Sequence, residues 1–323
     1  MKTAVLPGID RSISTIVQGS LGLIWGDDAD AFAVLDAALA AGITAFDTAH
    51  IYDFDGRGVD RLLGRWIASH GDRDAVVIMA KGCHPDDEGK SRVSPEALSA
   101  DMTDTLERAS LDHVDLWSFH RDDVSVAIGE LVDAANREID AGRISAWGVS
   151  NWTTARLRSA VDYASANDLA GPVANSAHYS LATQLDPPWD DVVTLTGAGA
   201  AEDRAWHEAA GIPVVAWSSL AGGFLSANLS RSDLVEPEND HVAEVARCYF
   251  DDMNWARRER AEAVAESRGV SLSQIAVAWV LGDAMTTLAI TGGASVEEVQ
   301  QNAAAVAVAL SAEERQMILG GTT

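Results

Sequence analysis

Eight short apolar runs rich in β-branched residues, nearly all followed by a helical pattern, predict an α/β chain folded as a (β/α)8 TIM barrel. The runs are continuously apolar rather than alternating, as strands covered on both faces are. A doubly wound sheet is the competing architecture. Against it, no run leads into G-x-G-x-x-G, and Gly222-Gly223 and Gly292-Gly293 have other spacings. With 323 residues, 47% of them hydrophobic, the chain has ample material for one barrel domain over 1–323.

The elements follow in order. Residues 1–14 read as a small lid, a short hairpin turning at Pro7-Gly8. Ser14–Gly19 is the first barrel strand, and the loop after it holds Gly19, Gly22, Gly26 and Trp25. Asp28–Ala41 has Phe32, Leu35 and Leu39 at helical spacing and ends at Gly42. Strands are then expected at 43–47, 75–80, 114–119, 144–149, 173–175, 213–217 and 286–290. Helices are expected at 59–69, 94–109, 125–141, 153–167, 203–210, 254–268, 271–281 and 295–308. Ser94 is the expected N-cap of its helix, with Pro95 in the first position. The stretches 181–202 and 220–253 read as long loops over the C-terminal mouth.

Composition narrows the function. A net charge of −26 without a basic stripe excludes a nucleic-acid partner, because a polyanion would be repelled. No run approaches the roughly 20 apolar residues of a membrane span, so no membrane partner is expected either. The N-terminus has no apolar run of signal-peptide length, and a cytoplasmic location is expected. Cys83 and Cys248 are expected to be free thiols.

Chemistry gathers where the predicted strands end. Those ends carry Asp47, Lys81, His120, Ser150-Asn151, Trp217 and the Gly292-Gly293 turn, with Tyr52 one loop beyond Asp47. In this fold the C-terminal strand ends build active sites. A tyrosine hydroxyl ordinarily ionises near 10; a nearby ammonium lowers that value, and a carboxylate fixes the ammonium. Lys81 and Asp47 suit those two parts, and His120 suits orientation of a carbonyl oxygen. Such a set protonates a developing alkoxide or deprotonates an alcohol. The hydride must come from a bound carrier.

The motifs are similar to those of the aldo-keto reductase family, in order along nearly the whole chain. Phe46-Asp47-Thr48-Ala49-His50-Ile51-Tyr52 resembles its F-D-T-A-x-x-Y, and Leu62-Leu63-Gly64-Arg65 the segment that follows. Lys81-Gly82 and His120 resemble the family lysine and histidine, and Gly148-Val149-Ser150-Asn151 its G-V/A-S-N. Leu220-Ala221-Gly222-Gly223-Phe224-Leu225 resembles L-x-x-G-x-L, and 290–302 the closing I-P-G segment.

The resemblance implies roles. Tyr52 would be the general acid, assisted by Lys81, Asp47 and His120. Ser150, Asn151 and Ser176 would face the nicotinamide carboxamide, and Trp217 would stack on the ring. Leu220, Gly222 and Gly223 would line the pyrophosphate; Gly292, Gly293, Ser295, Glu298 and Asn302 would hold the adenosine end. Two departures stand out. Ser176 replaces the glutamine of Q-x-x-Y before Tyr179, and Ala294 stands where NADP-preferring members carry Arg or Lys. No cation lies in 286–302, so NAD(H) is a candidate beside NADP(H). Arg231 or Arg257 could restore a cation for the 2′-phosphate. Trp25, Phe54, His84, Arg121 and Trp152 are the expected substrate contacts, a mixture suited to a sugar or other hydroxylated carbonyl or alcohol. Two other readings compete: a non-catalytic cofactor-sensing subunit, and a metal-dependent barrel enzyme. The histidine spacing and Lys81 weigh against a metal.

Overall fold

The computed structural model describes residues 1–70 and 72–320. The chain opens with an antiparallel hairpin of β1 (Thr3–Ala4) and β2 (Ile13–Ser14). Gly8 at its turn has φ +84°, and a Cβ there would meet the Ser145 carbonyl oxygen at 2.7 Å. Ser14 Oγ accepts from the amides of Thr44 and Ala45 at 2.9 and 3.2 Å. These contacts are with the residues that start strands, so the hairpin covers the end of the barrel away from the reactive side chains.

The strand–helix alternation then runs β3 (Ile16–Gly19), α1 (Asp28–Ala40), β4 (Ala45–Asp47), a second small hairpin of β5 (Asp53–Phe54) and β6 (Arg57–Gly58), and α2 (Val59–His70). It continues with β7 (Val77–Gly82), α3 (Pro95–Ala109), β8 (Val114–Phe119), α4 (Ile128–Asp140), β9 (Ile144–Ser150), α5 (Thr154–Ala166) and β10 (Asn175–Ser176). After these come α6 (Ala201–Ala210), β11 (Val214–Ala216), α7 (Arg231–Val235), α8 (Asp240–Tyr249), α9 (Asp252–Arg268), α10 (Leu272–Leu281), β12 (Thr287–Gly292), α11 (Val296–Ala304) and α12 (Ala312–Leu319).

Eight strands close into a parallel barrel in the order β10-β11-β12-β3-β4-β7-β8-β9, with helices around it. The chain divides into two compact units. The first comprises Met1–Ser176 with Gly292–Val299, the second Ala177–Thr291 with the residues from Gln300 onward. No helix of the described residues is long and apolar enough to cross a membrane. Cys83 and Cys248 are free and buried.

Three expectations are corrected. The stretch 220–253 is not a plain loop: Ser230 caps α7 in a reciprocal box with Asp233, and Asn239 caps α8. The helix expected from Ser125 starts three residues later, because Asp123 takes the Ser125 amide and hydroxyl and holds them in a turn. The last predicted helix stops at Ala304, and a further one, α12, begins at the Ser311–Glu314 capping box.

Candidate active site

Strand register alone brings the predicted groups of the first unit to one face. Asp47 pairs with Met79, and Lys81 is two residues on. Lys81 pairs with Ser118, two residues before His120. Ser118 pairs with Gly148, and Ser150, two residues on, pairs with Ser176. Since strand side chains alternate, all five project on the same side of the sheet. Phe46 is on the opposite side and packs on Trp66 of α2, 4.9 Å between ring centres. The shared face is therefore the barrel interior.

Lys81 Nζ donates to Asp47 Oδ1 and to the Thr48 carbonyl at 3.2 Å. Both side chains are 8% exposed, so this is a buried pair whose breakage would leave an uncompensated charge. Burial pushes the Asp47 carboxyl upward, against the downward pull of Lys81. The ammonium lies 5.8 Å from the Tyr52 ring centre, and the Tyr52 and His120 rings meet edge to face at 6.1 Å. Tyr52, Lys81, Asp47 and His120 thus form one cluster.

The electrostatics differ from expectation at one point. Burial pushes the Tyr52 phenol above its ordinary value; Lys81 and Arg121 pull it down without overcoming the burial, and Asp47 adds to the upward push. The Tyr52 phenol therefore stays protonated at neutral pH. His120 is held well below the usual imidazole range by burial and by Lys81, Arg121 and His84, so its ring is neutral. Its Nδ1 is buried without a hydrogen-bond partner.

Around the cluster, His84 packs on His120 at 4.9 Å, and its Nδ1 lies 3.0 Å from the Pro85 carbonyl. Arg121 Nη1 donates to the His120 carbonyl at 2.8 Å, and Nη2 reaches His84 Nε2 at 3.4 Å. Trp25 and Phe54 pack with tilted rings at 5.3 Å and are 60% and 42% exposed. Trp152 is fully buried, and its indole N–H donates to the Arg121 carbonyl at 3.1 Å. It supports the backbone of Arg121.

Ser150, Asn151 and Ser176 lie side by side. Asn151, at φ 57°, donates its amide N–H to the Ser176 carbonyl at 2.8 Å, and its Nδ2 to Ser150 Oγ at 3.1 Å. Neither Ser150 nor Asn151 caps α5; Thr153 does. Ser176 Oγ is buried without a partner. In the same unit, Gln18 Nε2 donates to the Gly293 carbonyl at 3.2 Å. Ser295 and Glu298 engage the first turn of α11: Glu298 Oε2 accepts from Ala294 N–H at 2.9 Å, and Ser295 Oγ from Glu298 N–H at 3.2 Å. Both contacts order the start of α11.

The second unit holds the remaining predicted cofactor residues. Trp217 stacks on Trp189 at 5.1 Å and meets His178 edge-on at 5.0 Å, and its indole nitrogen is buried without a partner. Leu220 leads into Ala221, Gly222 and Gly223, all with positive φ. A Cβ on Gly222 would also meet Val245 Cγ2 at 3.0 Å. Asn302 is buried. Arg231 pairs with Asp252 at 2.7 Å, and Arg257 donates to the Leu181 carbonyl at 2.9 Å. Both candidate cations already have protein partners.

Sequence reading missed Asp60 and Arg108. Asp60 is 3% exposed and accepts from Thr48 Oγ1 at 2.6 Å. Its signal was an acid among the buried positions Val59, Leu62, Leu63 and Trp66 of α2. Among the described residues, no group of three or more His, Cys, Asp or Glu is arranged to hold a metal.

The chain is similar to known proteins along most of its length. The model of the Aldo/keto reductase family matches residues 15–319. The aldo-keto reductase str7 of Strobilurus tenacellus is 27% identical over 300 residues, 92% of this chain and 82% of that one. The 6-dehydroglucose reductase of Novosphingobium aromaticivorans is 26% identical over 301 residues, covering 90% and 85%. A probable voltage-gated potassium channel subunit beta of Oryza sativa subsp. japonica is 27% identical over 290 residues, covering 87% and 83%.

Proposed function

The chain belongs to the aldo/keto reductase family, and on that premise we propose that it interconverts a carbonyl compound and its alcohol with Tyr52 as the general acid and base. Family membership implies a nicotinamide cofactor. The observation that carries the reading is the buried cluster of a protonated Tyr52, the Lys81–Asp47 pair and a neutral His120 on one barrel face. A nicotinamide dinucleotide, when bound, supplies the hydride.

The chain's own residues do the rest. Tyr52 holds its proton until charge develops on the substrate oxygen, then releases it; in reverse it takes the alcohol proton. Lys81 stabilises the phenolate left behind, and Asp47 keeps the ammonium in place. His120, neutral and with Nδ1 unpartnered, orients the oxygen. Ser150, Asn151 and Ser176 fit a carboxamide, because the unpartnered Ser176 Oγ needs a polar group that the fold does not supply. The exposed Trp25–Phe54 pair with His84 and Arg121 suits a polar, ring-bearing substrate, and the sugar reductase among the relatives supports a sugar carbonyl. Cofactor choice falls on NAD(H) over NADP(H), because Ala294 and its neighbours carry no cation.

The relatives named as potassium channel subunits favour a second reading, a subunit that binds cofactor without turnover. One experiment separates the two. NADH and NADPH are titrated separately by quenching of tryptophan fluorescence, and aldehydes and sugars are screened with the tighter one. Tyr52→Phe is expected to keep cofactor affinity and lose at least about 100-fold in kcat. Unchanged turnover removes Tyr52 as the acid, cofactor binding with no turnover of any carbonyl supports the second reading, and no nucleotide binding in the micromolar range defeats both.

A further inference from the structure

We infer that Arg108, on α3, is a positioning residue that sets Tyr52 for proton transfer by clamping the chain on both sides of it. The inference rests on the reading of Tyr52 as the acid. Its own basis is geometric. Tyr52 sits in a loop outside the barrel strands, tied by its amide to the Ala49 carbonyl at 2.8 Å and by its carbonyl to the Val59 amide at 2.9 Å. Arg108 Nη1 donates to the His50 carbonyl at 2.9 Å, two residues before Tyr52. Arg108 Nε faces Asp53 Oδ2 at 3.3 Å, one residue after it. One guanidinium therefore spans Tyr52.

The guanidinium is itself held. Arg108 Nη2 pairs with Asp104 Oδ2 at 2.5 Å, one turn earlier on α3, and the same carboxylate oxygen takes His50 Nε2 at 2.8 Å. Asp101, a turn earlier again, lies 3.7 Å from His50 Nδ1 and is fixed by Arg92 and by the Cys83 amide at 2.7 Å. Positions 101, 104 and 108 share one helix face. The Arg108 side chain is 17% exposed and that of Asp53 13%, so water competes weakly for these contacts. A planar fork can hold a carbonyl and two carboxylates in fixed directions; an ammonium on a flexible stem cannot. Catalytic geometry is sensitive at this scale, since a displacement of about 1 Å can cost about 100-fold in rate.

The test compares Arg108→Lys, Asp53→Asn and the control Arg268→Lys, whose residue pairs with Glu314 within the second unit. Each variant is measured for melting temperature, NADH affinity, kcat and KM, and amide hydrogen exchange over residues 49–59. Arg108→Lys and Asp53→Asn are each expected to lower kcat about 10- to 100-fold. NADH affinity should stay within about twofold of wild type, and the Tyr52 and Val59 amides should lose protection. The double variant should lose little more than either single one, because both break the same clamp. Arg268→Lys should change none of these. A lowered melting temperature with unchanged kcat makes Arg108 a scaffold brace and overturns the proposal, as does unchanged exchange at Tyr52 and Val59. If wild type reduces no carbonyl, the reading of Tyr52 fails on its own, and the exchange data still decide whether Arg108 holds the loop.

Discussion

Asp60 shows how a single buried carboxyl is tied to the stretch from Phe46 to Tyr52. Its oxygen takes the Thr48 hydroxyl, and the Thr48 carbonyl takes Lys81. Burial raises its pKa to about 6 despite that hydrogen bond and the charge of Arg108. The folded chain therefore holds the Asp60 proton more tightly than the unfolded chain does. That stability is fully present below about pH 4, is lost as pH rises to about 6, and is absent at neutral pH, a difference of about 3 kcal/mol at most. Asp60→Asn keeps an acceptor for Thr48 and removes the titration. The melting temperature of Asp60→Asn should exceed wild type at pH 8 and converge with it at pH 4. A loss of stability at pH 8 would mean that the fold uses the ionised carboxylate. Arg108 was not legible in the sequence, and Asp60 only as an acid among apolar helix positions, because their partners lie 58 and 12 positions away. Asp47, Tyr52, Lys81 and His120 were legible because their spacing follows the strand ends. Burial then reversed the expected direction of the Tyr52 pKa, since desolvation depends on neighbours that sequence does not show.

At the scale of elements, the packing of α2 on α3 carries much of the geometry just described. Gly64 allows it: a Cβ there would lie 2.0 Å from the Ala109 carbonyl oxygen at the end of α3. That atom is backbone and cannot rotate away, so Gly64→Ala must push the helices apart. The expected cost is about 3 kcal/mol, a fall in melting temperature of roughly 4–5 °C, with kcat reduced as Arg108 moves with α3. Differential scanning calorimetry and steady-state rates check this, and an unchanged melting temperature would show that the two helices part freely. Strand positions were readable from the sequence because continuous apolar runs mark them; most observed strands fall within one to three residues of expectation. The hairpin of β5 and β6 was not, since Asp53–Gly58 is polar and its order comes from Arg61 and Arg108 gripping Asp53. The helices α7 and α8 were readable only through their caps, at Ser230 and Asn239, in a stretch whose Pro, Gly and Asp content suggests loop, and α12 through the Ser311–Glu314 box.

At the scale of the whole molecule, the net charge of −26 sets the field that any anionic cofactor meets. A nicotinamide dinucleotide carries a pyrophosphate, and the 2′-phosphate of NADPH adds about two further negative charges. Local donors can hold such a ligand once it arrives, but the approach is against a repulsive field that salt screens: the Debye length shrinks from about 30 Å at 0.01 M to about 8 Å at 0.15 M. In most anion-binding proteins added salt slows association, because a cationic patch attracts the ligand. Here the segment 286–302 has no cation, and Arg231 and Arg257 are engaged with Asp252 and the Leu181 carbonyl. The association rate of NADH, followed by stopped-flow tryptophan fluorescence, should therefore rise several-fold between 10 and 150 mM KCl. That of NADPH should rise by a larger factor, so that discrimination between them narrows as salt increases. Slower association of NADPH with added salt would reveal a cation reaching the 2′-phosphate, and would move the expected preference from NAD(H) to NADP(H).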